Sequence, residues 1–211
     1  MSFAQKLQEA WLWRGPLARA LLPLSWLYGA VVALRRGLFR TGLLRATRLP
    51  VPVVVVGNLI AGGAGKTPTT LALVSLLREQ GWTPGIVSRG HGREGAGLYE
   101  VTRDSSALHS GDEPLLLHLR SGAPMVVGAD RVAAARTLLQ RHPEVDLLLS
   151  DDGLQHLRLA RDVEVIVFDE RGAGNGWLLP AGPLREPVPA AAPPRHRCRG
   201  RATWRSAACC P

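Results

Sequence analysis

Cysteine is missing from almost the whole chain. Its three cysteines, Cys198, Cys209 and Cys210, all fall within the last 14 residues. The preceding stretch therefore has no disulfide framework and no cysteine metal site, which suits a reducing compartment. Lysine is nearly absent as well: Lys6 and Lys66 are the only two among 26 basic residues. That bias is what a GC-rich genome produces, and it makes the lysine at position 66 informative. A membrane-spanning run is lacking too. The longest uncharged stretch near the amino terminus, Ala20 to Leu34, has 15 residues. As a helix it would cover roughly 22 Å at ~1.5 Å per residue, short of the ~30 Å hydrocarbon core. No small-residue cleavage site follows it cleanly, which disfavours a signal peptide. Finally, the body of the chain has no excess of positive charge. The net +9 divides into +7 over residues 1–50, −3 over 51–187 and +5 over 188–211. A basic groove for nucleic acid is thereby excluded, no nucleic-acid partner is expected, and no surface announces a protein partner.

What the first 50 residues do contain is tryptophan, leucine and arginine. Trp11, Trp13, Trp26 and Tyr28 are residues that favour the headgroup level, and Arg35, Arg36 and Arg40 suit anionic lipid. With Pro23 and Gly29 interrupting the run, the expectation is a helix or broken helix pair lying in one face of a membrane. A buried helical hairpin is the competing reading, and a single span the third.

Residues 51–187 alternate between strand and helix patterns. Val53 to Val56 is a β-branched run of the kind buried on both faces. Thr67 to Gln80 reads as a helix closed by Gly81. Strands are expected at 85–88, 98–102, 124–127, 145–149 and 163–168, and helices at 112–120 and 130–141. This pattern predicts an α/β fold, a P-loop NTPase-like parallel sheet flanked by helices, with ligands at the carboxyl ends of the strands.

Between the first strand and helix lies "GNLIAGGAGKTP", residues 57–68. Gly65-Lys66-Thr67 matches the end of G-x-x-x-x-G-K-[ST], while Ile60 takes the first glycine position. Ile60, Ala61, Gly62, Gly63, Ala64, Gly65, Lys66 and Thr67 are the expected nucleotide-binding residues. Backbone amides would cradle phosphate at the helix amino terminus, Lys66 would reach the β- and γ-phosphates, and Thr67 would ligate Mg²⁺. The signature lysine of partitioning-type ATPases is replaced by Ala61, so their sandwich-dimer mechanism is not expected.

Further candidates follow along the chain. "VDLLLSDDGLQH", residues 145–156, has the form of an apolar strand ending in carboxylate. Adjacent strand side chains point to opposite faces, so Asp151 and Asp152 would have different tasks, one near Mg²⁺ and one orienting a partner, unless they merely cap the turn before Gly153. Asp112 and Glu113 open a helix. Asp112 reads either as an N-cap or as the base that deprotonates an acceptor hydroxyl. His156 reads as a packed or turn histidine. Arg131 and Arg185 read as phosphate contacts or as solvated surface arginines. The glycine- and proline-rich segment 172–187 is too long for a simple turn.

In order, "VPVVVVGNL", "GGAGKTP", "VSRGHG", "GDEP", "VVGADRVAAA", "SDDGLQH" and "GNGWLLPAGPLREP" resemble the tetraacyldisaccharide 4'-kinase family of lipid A biosynthesis. A non-glycine residue at the first loop position is also that family's habit. The resemblance covers about residues 1–187. It implies an ATP- and Mg²⁺-dependent kinase acting on the 4'-hydroxyl of an acylated glucosamine disaccharide 1-phosphate. It also implies a peripheral or monotopic place at the cytoplasmic face of the bacterial inner membrane, among its lipids. Carried onto matching positions, it makes Asp112 the base, with Lys66 and Asp152 beside it in catalysis. Thr67, Asp151 and Glu113 become the metal-side residues, and Arg131 and Arg185 phosphate or lipid contacts.

Family members continue through a second α/β region carrying a histidine motif. Here residues 188–211 show no hydrophobic period, no acid and a Pro/Ala/Arg bias. A frameshift near residue 188, or a disordered basic tail, is the expectation. The second domain would then be absent, and the 211-residue chain would bind nucleotide but transfer phosphate poorly or not at all. The alternative function is a membrane-bound, nucleotide-dependent switch or partner-binding ATPase without a small acceptor.

Overall fold

The computed structural model describes residues 8–62, 65–188 and 202–206. Two compact units contain them. One comprises Ala46–Gly57 and Gly65–Val165 with the end of the chain; the other comprises the amino-terminal helices, Asn58–Ala64 and Ile166–Thr203.

The first unit is organised by the sheet. Strands β1 (Val53–Gly57), β2 (Pro84–Ser88), β3 (Tyr99–Val101), β4 (Met125–Val127), β5 (Leu147–Asp151), β6 (Val163–Val167) and β7 (Ala202–Ser206) lie in the order β3-β4-β2-β5-β1-β6-β7. Every residue of β1, β2 and β5 is buried, as expected for strands covered on both faces by crossover helices. β5 pairs in parallel with β1 on one side (Val56 opposite Asp151) and with β2 on the other (Val87 opposite Ser150). The carboxyl ends of β1, β2 and β5 therefore emerge together.

The expected all-parallel sheet needs one correction. β3 runs antiparallel to β4, pairing Tyr99 with Val127 and Val101 with Met125. Its three residues carry too little pattern to reveal direction, and no helix separates β3 from β2. Within the tail Ala202–Ser206 is the outermost strand, β7; residues 189–201 and 207–211, and with them most of the tail expectation, lie outside the described residues.

Helices α3 (Lys66–Glu79), α4 (Ala107–Ser110), α5 (Asp112–Ser121) and α6 (Arg131–Arg141) belong to this unit. α6 starts where Asp130 accepts the amides of Val132 (2.9 Å) and Ala133 (3.2 Å), an N-cap that also holds the Asp130 carboxyl below its ordinary range. α5 starts differently. Gly111, at φ +87°, takes the cap position, and a Cβ there would come within 3.0 Å of the His91 carbonyl oxygen. That close approach sets α5 against the loop after β2.

In the second unit α1 (Pro16–Ala20) breaks at Leu21 into α2 (Leu22–Arg40), whose Pro23 sits harmlessly in the first turn. The packed face of α2 is its polar one. Ser25 is buried; its hydroxyl donates to the Leu178 carbonyl at 2.8 Å and accepts from the Ala181 amide at 2.9 Å. Tyr28 donates to the Arg185 carbonyl, and Arg36 pairs with Glu186 at 3.2 Å. Leu24, Trp26, Leu27, Val31 and Leu34 face outward, Trp26 being 70% exposed. Within this unit the side chains that pack are therefore polar, and the apolar ones point away from it. Among the described residues no helix is long and apolar enough to cross a membrane.

The antiparallel edge is pinned by charge. His142, just past α6, donates through Nε2 to Glu100 of β3 at 2.7 Å, and Arg141 meets the other Glu100 oxygen at 2.6 Å. The Glu100 bond raises the His142 pKa, and the same bond lowers that of Glu100. A raised histidine pKa gives stability that is present below about 6.5 and lost as pH rises through the folded value. His142→Ala should cost about 0.5–1 kcal/mol at pH 6, the scale of a partly exposed pair, and close to nothing at pH 9. Urea midpoints at the two pH values measure this.

Candidate active site

The chemistry gathers where α3 begins. Gly65 has φ +71°, a left-handed conformation that costs glycine nothing and turns the chain into the helix. Lys66, the first helical residue, places Nζ 2.9 Å from Asp152 Oδ1. Thr67 donates its hydroxyl to Glu113 at 2.5 Å. Thr70, one turn later, donates to Asp151 Oδ1 at 3.2 Å. One turn of helix thus provides a separate partner for each of three carboxylates from α5, β5 and the residue after β5.

The two adjacent aspartates are held in unlike ways. Asp151 ends β5 and is 1% exposed. Burial, and next Glu113, push its carboxyl up to about 7 despite the opposing charge of Lys66. Asp152 lies just outside the strand at φ +49°, a sparsely populated conformation for a residue other than glycine. This left-handed step turns its carboxylate to Lys66. The chain can then fold back because Gly153 has no Cβ, which would otherwise collide with the Ser150 hydroxyl.

Asp112 stands at the first position of α5, exposed and making no side-chain capping bond. The capping alternative is therefore ruled out, since Gly111 occupies that place. Arg131 is not a solvated surface arginine either. It is 5% exposed, and its guanidinium donates to the carbonyls of Gly128 (3.0 Å) and Ala129 (3.2 Å), while Nε has no hydrogen-bond partner. Burial, and then Arg89, lower its pKa; Asp152 and Asp151 act oppositely. His156 is half-buried and pushed down to about 4, by burial first and Arg131 second, so its ring is neutral at physiological pH.

In the other unit Ile60 is buried. It bridges to Leu184, while Ala61 donates its amide to the Pro183 carbonyl at 2.8 Å. A core side chain thus fills the position of the first loop glycine. Gly62, at φ +101°, has its carbonyl bonded by Asn58 Nδ2. Arg185 is half-buried and donates its amide to the Leu59 carbonyl at 2.7 Å. Gly63 and Ala64 lie outside the described residues.

Three residues escaped the sequence reading. Thr70 repeats the Thr67 hydroxyl at helical spacing and carried a signal that could have been used. Ser88 ends β2 and donates to Asp151 Oδ2 at 3.5 Å; it is visible only once the β2–β5 register is known. Arg171, paired with Asp169 at 2.6 Å, has its guanidinium beside Gly62.

The donor set suits a hard cation: a threonine hydroxyl, Glu113 and Asp151 offer oxygen only, as Mg²⁺ prefers. Among the described residues no group of three His, Cys, Asp or Glu side chains gathers as a metal site. A cavity of about 230 Å³ opens instead at the start of β1, lined by Arg48, Pro50, Pro52 and Asp162 among others, and contains none of these residues.

A largely parallel α/β sheet whose first strand leads through a glycine-rich turn into a Lys-Thr helix, with carboxylates at the end of the neighbouring strand, defines a P-loop nucleotide-binding protein. More narrowly, the chain belongs to the tetraacyldisaccharide-1-P 4'-kinase family, whose family model matches residues 17–194. It is 65% identical over 182 residues to the tetraacyldisaccharide 4'-kinase of Methylibium petroleiphilum, covering 86% of this chain and 51% of that one. It is 63% identical over 188 residues to that of Acidovorax sp. JS42, covering 89% and 56%. It also resembles the crystal structure of LpxK from Aquifex aeolicus in complex with ATP, with a TM-score of 0.73 and 35% identity over 81% of this chain and 55% of that one. The chain spans about half the length of the curated relatives it matches.

Because the Asp151 pKa is raised, the folded chain loses stability as pH climbs from the ordinary carboxyl value of 3.8 toward about 7, and is level above that. Asp151→Asn removes this penalty, its amide still able to accept from Thr70. In metal-free buffer the variant should gain little at pH 4.5 and on the order of a few kcal/mol at pH 8, at ~1.4 kcal/mol per unit. Urea unfolding at both pH values is the check.

Proposed function

We propose that this chain carries the ATP-handling part of a tetraacyldisaccharide 4'-kinase. The reaction moves the γ-phosphoryl group of ATP to the 4'-hydroxyl of an acylated glucosamine disaccharide 1-phosphate. The observation that carries the proposal is the convergence of Lys66, Thr67, Glu113, Asp151 and Asp152 on the first turn of α3, in a chain of this family. Phosphoryl transfer needs positioning and charge neutralisation more than covalent chemistry, and the cluster has that character.

Within it Lys66 balances negative charge at the phosphates while Asp152 keeps its ammonium in place. Thr67, Glu113 and Asp151 would hold Mg²⁺, which when bound neutralises charge on the transferred group. Asp112 takes the proton of the acceptor hydroxyl. Its exposure and its lack of a capping bond leave that carboxylate's lone pairs available for the task. Arg131, bonded to backbone carbonyls, acts through the electrostatics of the aspartate pair. The switch-type alternative is not favoured by the family membership.

The outward apolar face of α2, with Arg35 and Arg40 on the same helix, supports residence at the cytoplasmic face of the inner membrane, lying on the surface rather than crossing it.

Lys66→Ala should weaken ATP binding at least about tenfold, as loss of a buried charge-assisted contact does. Asp112→Asn should keep ATP affinity within about twofold while lowering transfer to the acylated disaccharide about 10²–10⁴-fold, the range of general-base catalysis. Calorimetry and a radiolabelled-phosphate assay read the two effects; equal loss of binding and transfer in Asp112→Asn would remove it as the base. Separately, Trp26→Ser with Leu27→Ser should reduce co-sedimentation with anionic vesicles while leaving ATP affinity intact.

A further inference from the structure

Asp151 is the most enclosed carboxylate of the site, and its two oxygens are gripped from two sides. Thr70, fully buried on α3, donates to Oδ1 at 3.2 Å, and Ser88, 5% exposed at the end of β2, donates to Oδ2 at 3.5 Å. Neither hydroxyl has another side-chain partner with a comparable charge to satisfy. Thr70 lies three residues after Thr67, so the two hydroxyls project from the same side of α3. Ser88 is the next residue after the Val87–Ser150 register pair, which brings it level with Asp151. The contacts come from separate elements, one to each oxygen, so together they bear on the plane of the carboxylate as well as its location.

We propose that Thr70 and Ser88 are positioning residues that set the orientation of the Asp151 carboxylate toward a phosphate-bound divalent cation. The inference rests on the nucleotide reading above and adds two residues that act through Asp151. Partners of this kind orient the ligating group, and their loss typically lowers metal affinity about 10–100-fold. Thr70, at the shorter distance, carries the larger share.

The test compares ATP affinity of the full 211-residue chain in Mg²⁺ and in EDTA. Thr70→Val keeps the shape and removes the hydroxyl. It should lower the Mg²⁺-dependent gain in ATP affinity about 10-fold or more, with EDTA binding unchanged. Thr70→Ser should restore the gain. Ser88→Ala should lower it less, and it reads the same ratio independently should Thr70→Val fold poorly. An unchanged ratio in both hydroxyl-deleted variants, or parallel loss with and without metal, overturns the proposal, because a merely structural role moves both affinities together. If the wild-type chain itself shows ATP binding without any Mg²⁺-dependent gain, the metal reading fails and takes this inference with it. Absence of ATP binding altogether instead overturns the nucleotide reading.

Discussion

Three carboxylates crowd one end of the sheet, and one helical turn makes that tolerable. Glu113, Asp151 and Asp152 meet a single lysine and two threonine hydroxyls. Unit charges ~4 Å apart interact by about 4 kcal/mol at the effective dielectric of a protein surface. Repulsion of this kind, from Glu113, is the second cause of the raised Asp151 pKa, after burial. Each acid is answered by a different side chain of α3, and the Asp151 carboxyl is still pushed up by burial and by Glu113. The strand order in this part of the sheet is β2-β5-β1. It places the end of β5 between the strand that leads toward α3 and the strand that supplies Ser88.

The other unit inverts the usual rule of amphipathic helices. On α2 the hydroxyls of Ser25 and Tyr28 and the guanidinium of Arg36 face the segment 178–186, while leucines and Trp26 face outward. That segment is irregular: some of its backbone groups bond one another, as the amides of Leu179 and Gly182 do to the carbonyls of Leu184 and Leu178, and others are met by side chains. Polar residues are what its neighbour supplies. Asn175, just before the segment, does the same, donating to the carbonyls of Ala10 and Ala181. With the polar stripe used inward, the apolar stripe is left exposed, the feature on which the proposed membrane location rests.

Much of this was legible from residue order alone. The β-branched run of β1 and the Gly-Lys-Thr junction identify strand, turn and helix because each rests on local chemistry. The helix beginning near Asp130 is expected too, but the cap itself, with the side chain accepting amides two and three residues on, emerges only from the structure. What stayed hidden depends on pairing between distant segments. The direction of β3, the roles of Thr70 and Ser88, and the burial of Arg131 are fixed by register and packing across the sheet. Asp112 shows the boundary between the two cases. Its position at a helix start was readable, yet the glycine before it, at positive φ, and not the aspartate, provides the cap.

The neighbouring aspartates show how one dipeptide is divided between two tasks. Alternation along a strand alone would send Asp152 to the opposite face of the sheet from Asp151. The chain leaves β5 after Asp151, and the left-handed φ of Asp152 returns the second carboxylate toward Lys66. That conformation costs of order 1–3 kcal/mol in a residue other than glycine, and a glycine at position 152 would avoid it. The glycine would also leave Lys66, whose side chain is 10% exposed, without this charge partner. Asp151 is subject to the same logic. An asparagine would sit more comfortably between Thr70 and Ser88, but a neutral amide cannot match the charge of a divalent cation. Both strains therefore lie where stability and the proposed chemistry make opposite demands, and at both positions the residue present is the one that serves the chemistry.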